Sequence, residues 1–305
     1  MNFEEESSPI TFNIGTLTEQ SKIISNDLLK KYRNIFSSNL SKDGQIAITQ
    51  QTDLIEHTIS TGDAKPLKQQ AYKASRDDNE FIQKEIDAML EKKIIRESTS
   101  DWSSPAILVS KKNSKKRMVF DFRKLNAVTQ KDNYPLPLIK ELFKHFKDAK
   151  YFSTIDLASG YYQIRVAEKD KRKTAFITKY GLYEFNAMPF GLCNAPATFQ
   201  RLMNTVLKEH ISKICVVYLD DITVYSKTFE QHLKDLEIIF KTLKEAKLQM
   251  NQEKCFFFQE QVLFLGHKIS KNSIEPDDDK IKKIKDYQPP DLKAIMILSR
   301  INRIL

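Results

Sequence analysis

The most apolar short run in the chain, Ile214-Cys215-Val216-Val217-Tyr218-Leu219, stops at two adjacent carboxylates, Asp220-Asp221, and a second apolar run, Ile222-Thr223-Val224-Tyr225, follows at once. Two runs of β-forming residues this close together pair as a hairpin, so the hairpin must carry two like charges at its tip. Those charges repel one another and add nothing to a core. On spacing alone an Asp-rich surface turn would look the same. A second strand pattern, Tyr151-Phe152-Ser153-Thr154-Ile155, also ends in a carboxylate, Asp156. If the two strands are neighbours in one sheet, Asp156 and Asp220 stand side by side and can share divalent cations. Hard carboxylate oxygens completed by water and phosphate oxygens suit magnesium. Two such ions about 4 Å apart can activate a 3′-hydroxyl and stabilise a pyrophosphate leaving group.

That chemistry needs neither histidine nor a glycine-rich loop, and the composition excludes the alternatives that do. There are seven glycines, and the closest pair, Gly181 and Gly191, is ten residues apart, so neither a dinucleotide fingerprint nor a P-loop can be written. The five histidines have no zinc spacing, and Cys193, Cys215 and Cys255 read as small reduced thiols. No apolar run approaches the length of a membrane span, and the start, MNFEEESSPI, is acidic where a signal peptide is basic. The expectation is a soluble, intracellular protein, cytoplasmic or nuclear rather than secreted, with no membrane partner.

The net charge of +9 is localised. Residues 111–180 hold 18 Lys and Arg against 7 Asp and Glu, a net of +11, and the other 235 residues come to −2. Within that stretch Lys111, Lys112, Lys115, Lys116 and Arg117 form one cluster and Lys169, Lys171, Arg172 and Lys173 another, with aromatics between them. A nucleic-acid partner fits this pattern, and a solvated face fits it equally on composition alone.

Hydrophobic periodicity predicts helices over about 77–94, from about Pro137, from Pro196, over about 229–248 and over about 277–287. Strands are expected at 106–109 and 118–122, forming a hairpin with a basic tip, and at 151–156, 162–166, 175–178, 183–185, 255–258 and 262–269. Residues 1–64 are polar, with one short helical pattern at 26–32, and read as a linker or docking arm. No repeat is visible, and the whole is an α+β chain.

Three runs carry a resemblance: Asp156-Leu157-Ala158-Ser159-Gly160-Tyr161-Tyr162-Gln163-Ile164, then Met188-Pro189-Phe190-Gly191-Leu192-Cys193-Asn194-Ala195-Pro196-Ala197-Thr198-Phe199-Gln200, then Tyr218-Leu219-Asp220-Asp221. In order and spacing they resemble the reverse transcriptases of gypsy-type LTR retrotransposon Pol polyproteins. The likeness runs from about Thr61 to Gly266, two thirds of the chain. It implies a right-hand polymerase fold with fingers and palm over 65–270, and an incomplete thumb over 271–305, because the family continues further than Leu305.

The resemblance further implies that Asp156, Asp220 and Asp221 are the catalytic, metal-binding carboxylates, holding two Mg2+ ions with Mn2+ as an alternative. It makes Tyr161 a steric gate against the ribonucleotide 2′-hydroxyl. Arg117, with Lys111 or Lys112, would bind the triphosphate, Phe190 and Gly191 would lie beside the incoming nucleotide, and Leu265-Gly266 would form the primer grip. Phe190 stands where some retroviral relatives have glutamine, but phenylalanine is usual in the gypsy group. The implied partners are an RNA or DNA template with primer, and dNTPs. The rival expectation is an inactive nucleic-acid-binding remnant of a truncated element. An RNA-dependent RNA polymerase is disfavoured by Tyr161.

Overall fold

The computed structural model describes residues 11–37, 50–110, 116–271 and 273–286. At its centre is a five-stranded sheet in the order Asn13–Ile14, Phe256–Gln259, Tyr151–Asp156, Asp221–Ser226, Cys215–Tyr218. All neighbours run antiparallel except the first pair. Side chains alternate across a sheet, so the strands at Tyr151–Asp156, Asp221–Ser226 and Cys215–Tyr218 feed two different cores. On one face Ile155, Val217, Ile222 and Val224 join the main core with Phe199, Leu202 and Met203 of the Ala195–Val206 helix and Leu236, Ile239 and Phe240 of the Phe229–Glu245 helix. On the other face Phe152 and Val216 form a smaller core with Leu142, Phe146, Phe264 and Ile269.

That second core seats a hairpin, Gln261–Phe264 with His267–Ser270, on the sheet. A second five-stranded sheet, in the order Ile95–Glu97, Gly181–Phe185, Phe176–Thr178, Ser104–Ser110, Lys116–Phe120, forms a second lobe with the Arg76–Glu91 helix, and its Ile95, Phe120, Phe176 and Phe185 belong to the same main core. Ser75 caps that helix by accepting from the Asp78 N–H, and Asp77 and Asp78 in its first turn complement the helix dipole.

Besides 262–269, expected as one strand and seen as the hairpin just described, two sequence expectations differ from this structure. The first concerns the polar start of the chain, which proves to contribute core side chains over 11–37. Asn13–Ile14 pairs with Phe256–Phe257 at the edge of the central sheet, and the Glu19–Lys31 helix buries Leu28 and Leu29. Tyr32 and Phe36 extend this packing against Phe240, with ring centroids 5.6 and 5.8 Å apart. The second concerns 162–166, expected as one strand. Only Arg165–Val166 is extended, and Gly160–Gln163 is a 3-10 turn. Gln163 is buried there because its amide donates to the carbonyls of Ala158 and Gln249, at 2.8 Å each, and accepts from the Gln249 N–H.

Gly15 closes the N-terminal contact. A Cβ at this position would lie 2.2 Å from the Phe258 carbonyl oxygen, and that oxygen belongs to backbone that cannot swing away. Gly15→Ala is therefore expected to cost about 3 kcal/mol, the upper end for overpacking. Melting should fall by roughly 6–10 °C on that basis. A loss below about 1 °C in a thermal scan would show that this contact is dispensable.

Candidate active site

The strand register brings the carboxylates together. Asp221 is the direct cross-strand partner of Asp156, and Tyr218 pairs with Asp221 across the turn that carries Leu219 and Asp220. Asp220 and Asp221 are exposed at this tip, and Asp156 is half-buried. Asp156 lies two and four residues from Thr154 and Phe152, so it belongs to the face that meets the 261–270 hairpin. A cavity of about 430 Å³ lies there, lined by Asp156, Asp221, Thr223, Lys254, Gln261 and Leu263 among others. It joins the carboxylates to the strand that leads into Leu265-Gly266.

Asp156 and Asp221 share a local excess of negative charge that Lys254 offsets only in part. The protein around Asp221, together with the charges of Asp220 and Asp156, pushes its carboxyl up to about 6. Burial, opposed by Lys254 and aided by Asp220, also raises Asp156. Lys254 Nζ is 3.5 Å from Asp156 Oδ2. Among the described residues no three His, Cys, Asp or Glu side chains enclose a common point. A cation here would thus take the rest of its ligands from water or phosphate, a partial all-oxygen donor set that fits magnesium.

This raised pKa sets a pH dependence. Asp221 holds its proton more tightly in the folded protein than its ordinary value of 3.8. Its contribution to stability is therefore complete below that value and is lost as the pH rises through about 6. In chelator, the melting temperature of Asp221→Asn relative to wild type is expected to rise between pH 4 and 7. Parallel melting curves for the two proteins across that range would rule the assignment out.

The strands that carry Asp156 and Asp221 are pinned from behind by a buried network. Ser153 Oγ lies 2.7 Å from His232 Nε2, Ser226 Oγ lies 2.9 Å from His232 Nδ1, and the Ser226 hydroxyl donates to Asp235. Since that hydroxyl's proton is committed to Asp235, the bonds are consistent with a neutral His232 that donates through Nδ1 and accepts from Ser153 through Nε2. Burial drives the His232 pKa down to about 3, in keeping with neutrality.

Beside the carboxylates stands an aromatic column. Tyr161 stacks on Phe190, with centroids 4.8 Å apart and planes at 24°, and leans on Phe199 at 5.4 Å. The Arg117 guanidinium covers Phe190 at 5.1 Å, within cation–π range. Burial raises the Tyr161 hydroxyl to about 12, so it stays neutral at working pH. A Cβ on Gly160 would come 2.9 Å from Phe199 Cζ, so glycine there lets Tyr161 settle on that ring.

Gly191 has φ +95°, a conformation other residues rarely adopt. Its carbonyl accepts from Asn126 Nδ2 at 2.8 Å, and Asn126 Oδ1 accepts from the Cys193 N–H. Leu265 and Gly266 form a two-residue turn with φ +49° and +74°, the sign pattern of a tight hairpin. Lys111 and Lys112 lie outside the described residues. Lys254, Asn126, Phe199 and Gln200 belong to this neighbourhood but had no role assigned from sequence. Phe199 and Gln200 sit inside the Met188–Gln200 run, whereas Lys254 and Asn126 reach the site only through pairings across 98 and 65 residues.

Three carboxylates on a palm-like sheet, a second lobe that carries Arg117 and a seated hairpin define the right-hand polymerase architecture, on an α+β fold. Residues 109–269 match the family described as reverse transcriptase (RNA-dependent DNA polymerase). The chain is 37% identical over 284 residues to the Pol polyprotein of transposon 297 from Drosophila melanogaster, covering 92% of this chain and 26% of that protein. It is 42% identical over 240 residues to that of transposon gypsy from the same species, covering 77% and 23%. Among solved structures, it resembles a foamy viral protease-reverse transcriptase in complex with RNA/DNA hybrid (TM-score 0.80, 26% identity, 93% of this chain and 38% of that one). A complex of the foamy viral protein with dsDNA matches with TM-score 0.81 and 27% identity, over 94% and 59%.

The chain belongs to the reverse transcriptase family, and its relatives are the Pol polyproteins of gypsy-type LTR retrotransposons. It spans about a quarter of the length of those polyproteins. Among the described residues, no helix is long and apolar enough to cross a membrane.

Proposed function

We propose that this domain adds deoxynucleotides to the 3′-end of a primer annealed to an RNA or DNA template. The observation that carries this reading is the register that sets Asp156 against Asp221 beside Asp220, next to the Arg117–Phe190–Tyr161 column. Foamy viral relatives that hold RNA/DNA hybrid and dsDNA support both template types.

In this reading the primer 3′-oxygen attacks the α-phosphorus, the bond to the β-phosphate oxygen breaks, and pyrophosphate leaves. Asp156, Asp220 and Asp221 would hold magnesium, with manganese as an alternative. When bound, these ions supply Lewis-acid activation of the hydroxyl and charge neutralisation at the leaving group. Arg117 neutralises triphosphate oxygens, assisted by Lys111 or Lys112. The Tyr161 ring, backed by Phe190 and Phe199, occupies the space a ribose 2′-hydroxyl would need. Phe190 and Gly191 flank the nucleotide, and the Leu265-Gly266 turn holds the primer terminus. The lysines and arginines of 111–180 follow backbone phosphates, so binding weakens with salt.

Primer extension with magnesium and dNTPs, on matched RNA and DNA templates, tests this reading. Incorporation directed by either template is the expected result. Salt-sensitive duplex binding with no incorporation would leave a nucleic-acid-binding remnant instead.

A further inference from the structure

The catalytic turn is held from behind by a side chain that the reaction scheme does not use. Leu219, the residue before Asp220, has φ +55°, where turns favour glycine or asparagine and a branched side chain is disfavoured. Its N–H donates at 2.7 Å to Oε1 of Gln200, a fully buried amide on the Ala195–Val206 helix.

The orientation of that amide is itself fixed. Gln200 Nε2 donates to Asn204 Oδ1 at 2.9 Å, and Asn204 Nδ2 donates to the Tyr134 hydroxyl at 2.8 Å. The Tyr134 ring lies 4.6 Å from the Arg201 guanidinium, which pairs with Asp132 at 2.8 Å. A flipped Gln200 would set its NH2 against the Leu219 N–H, so that backbone donor selects the orientation with Oε1 toward the turn, and Asn204 accepts from the NH2 this leaves on the other side.

We propose that Gln200 is a positioning residue for the catalytic turn, holding Leu219 at positive φ so that Asp220 stands beside Asp156, with Asn204 and Tyr134 anchoring the far side of its amide. The inference rests on the polymerase reading of this site. It differs from a packing role, because an apolar side chain of equal size would fill the same space and leave the Leu219 N–H without an acceptor.

The test compares Gln200→Leu with wild type in single-turnover extension, in two backgrounds, alongside hydrogen exchange of the Leu219 amide. Gln200→Leu is expected to slow extension roughly 30-fold, with dNTP affinity within about threefold, and to speed exchange of Leu219 to a similar degree. In the Leu219→Gly background the same substitution should cost about threefold or less, because glycine adopts positive φ unaided. An equal loss in both backgrounds, or unchanged Leu219 exchange, overturns the proposal.

If Gln200→Leu does not fold, Asn204→Ala decides. It is expected to slow extension about fivefold with dNTP affinity intact, and no change would overturn the proposal. Should wild-type protein extend nothing, the polymerase reading fails by itself. Exchange at Leu219 in wild type and variant then still decides whether Gln200 holds the turn.

Discussion

Replacing Asp220 by asparagine is expected to lower the rate of primer extension at least ~1,000-fold and, in chelator, to raise the melting temperature slightly. The opposite signs follow from one cause. Asp220 is exposed at the hairpin tip, and its charge is one reason the Asp221 and Asp156 carboxyls are raised. Removing the charge relieves that repulsion without disturbing a core contact. In the proposed reaction it would also remove one of the hard oxygen ligands on which several kcal/mol of transition-state stabilisation depend. The rate is read from single-nucleotide incorporation and the stability from a melt in the same buffer with chelator. Extension within about tenfold of wild type would remove Asp220 from the chemistry.

The second large effect concerns sugar selection. Tyr161→Ala is expected to bring the kcat/KM ratio for dNTP over rNTP down by roughly 100-fold, the size of discrimination that exclusion of a single hydroxyl supplies. The ring is held on two sides, by Phe190 and Phe199, so it cannot rotate away to admit a larger sugar. Its removal also strips Phe190 of its stacking partner beneath Arg117, so dNTP KM should rise as well. A selectivity ratio that stays within about threefold would place the gate elsewhere.

Much of the palm was legible in the sequence because its signals are local. Tyr151–Asp156 is a run of β-forming residues with a carboxylate at its end, and the hairpin around Asp220-Asp221 is marked by two apolar runs. The Arg76–Glu91, Ala195–Val206 and Phe229–Glu245 helices follow from 3.6-residue periodicity, the first two also from starts near Ser75 and at Pro196. Other features depend on partners far along the chain. The two-residue strand at Asn13–Ile14 has no signal of its own and exists through Phe256–Phe257. Gln163 reads as a solvent-facing strand residue until Gln249 is set beside it. The same holds within the site. Asp156, Tyr161 and Asp220 lie in recognisable runs, while Lys254 and Asn126 are ordinary surface residue types whose positions come from tertiary pairing. Gln200, although inside a motif, shows what it touches only when the helix is laid behind the turn.

The Asn13–Ile14 strand bears on where this polypeptide can be cut. The family match begins at residue 109, and every chemically suggestive motif falls after it. Yet the edge of the sheet that carries Asp156 is covered by residues almost a hundred positions earlier. A fragment trimmed to 109–269 would keep all three carboxylates and leave the Phe256–Gln259 strand with a bare row of backbone donors and acceptors, next to the apolar surface vacated by Tyr32 and Phe36. Such an edge recruits other chains. The cooperative folding unit is thus larger than the unit of recognisable chemistry, and a soluble recombinant piece must be chosen by the former.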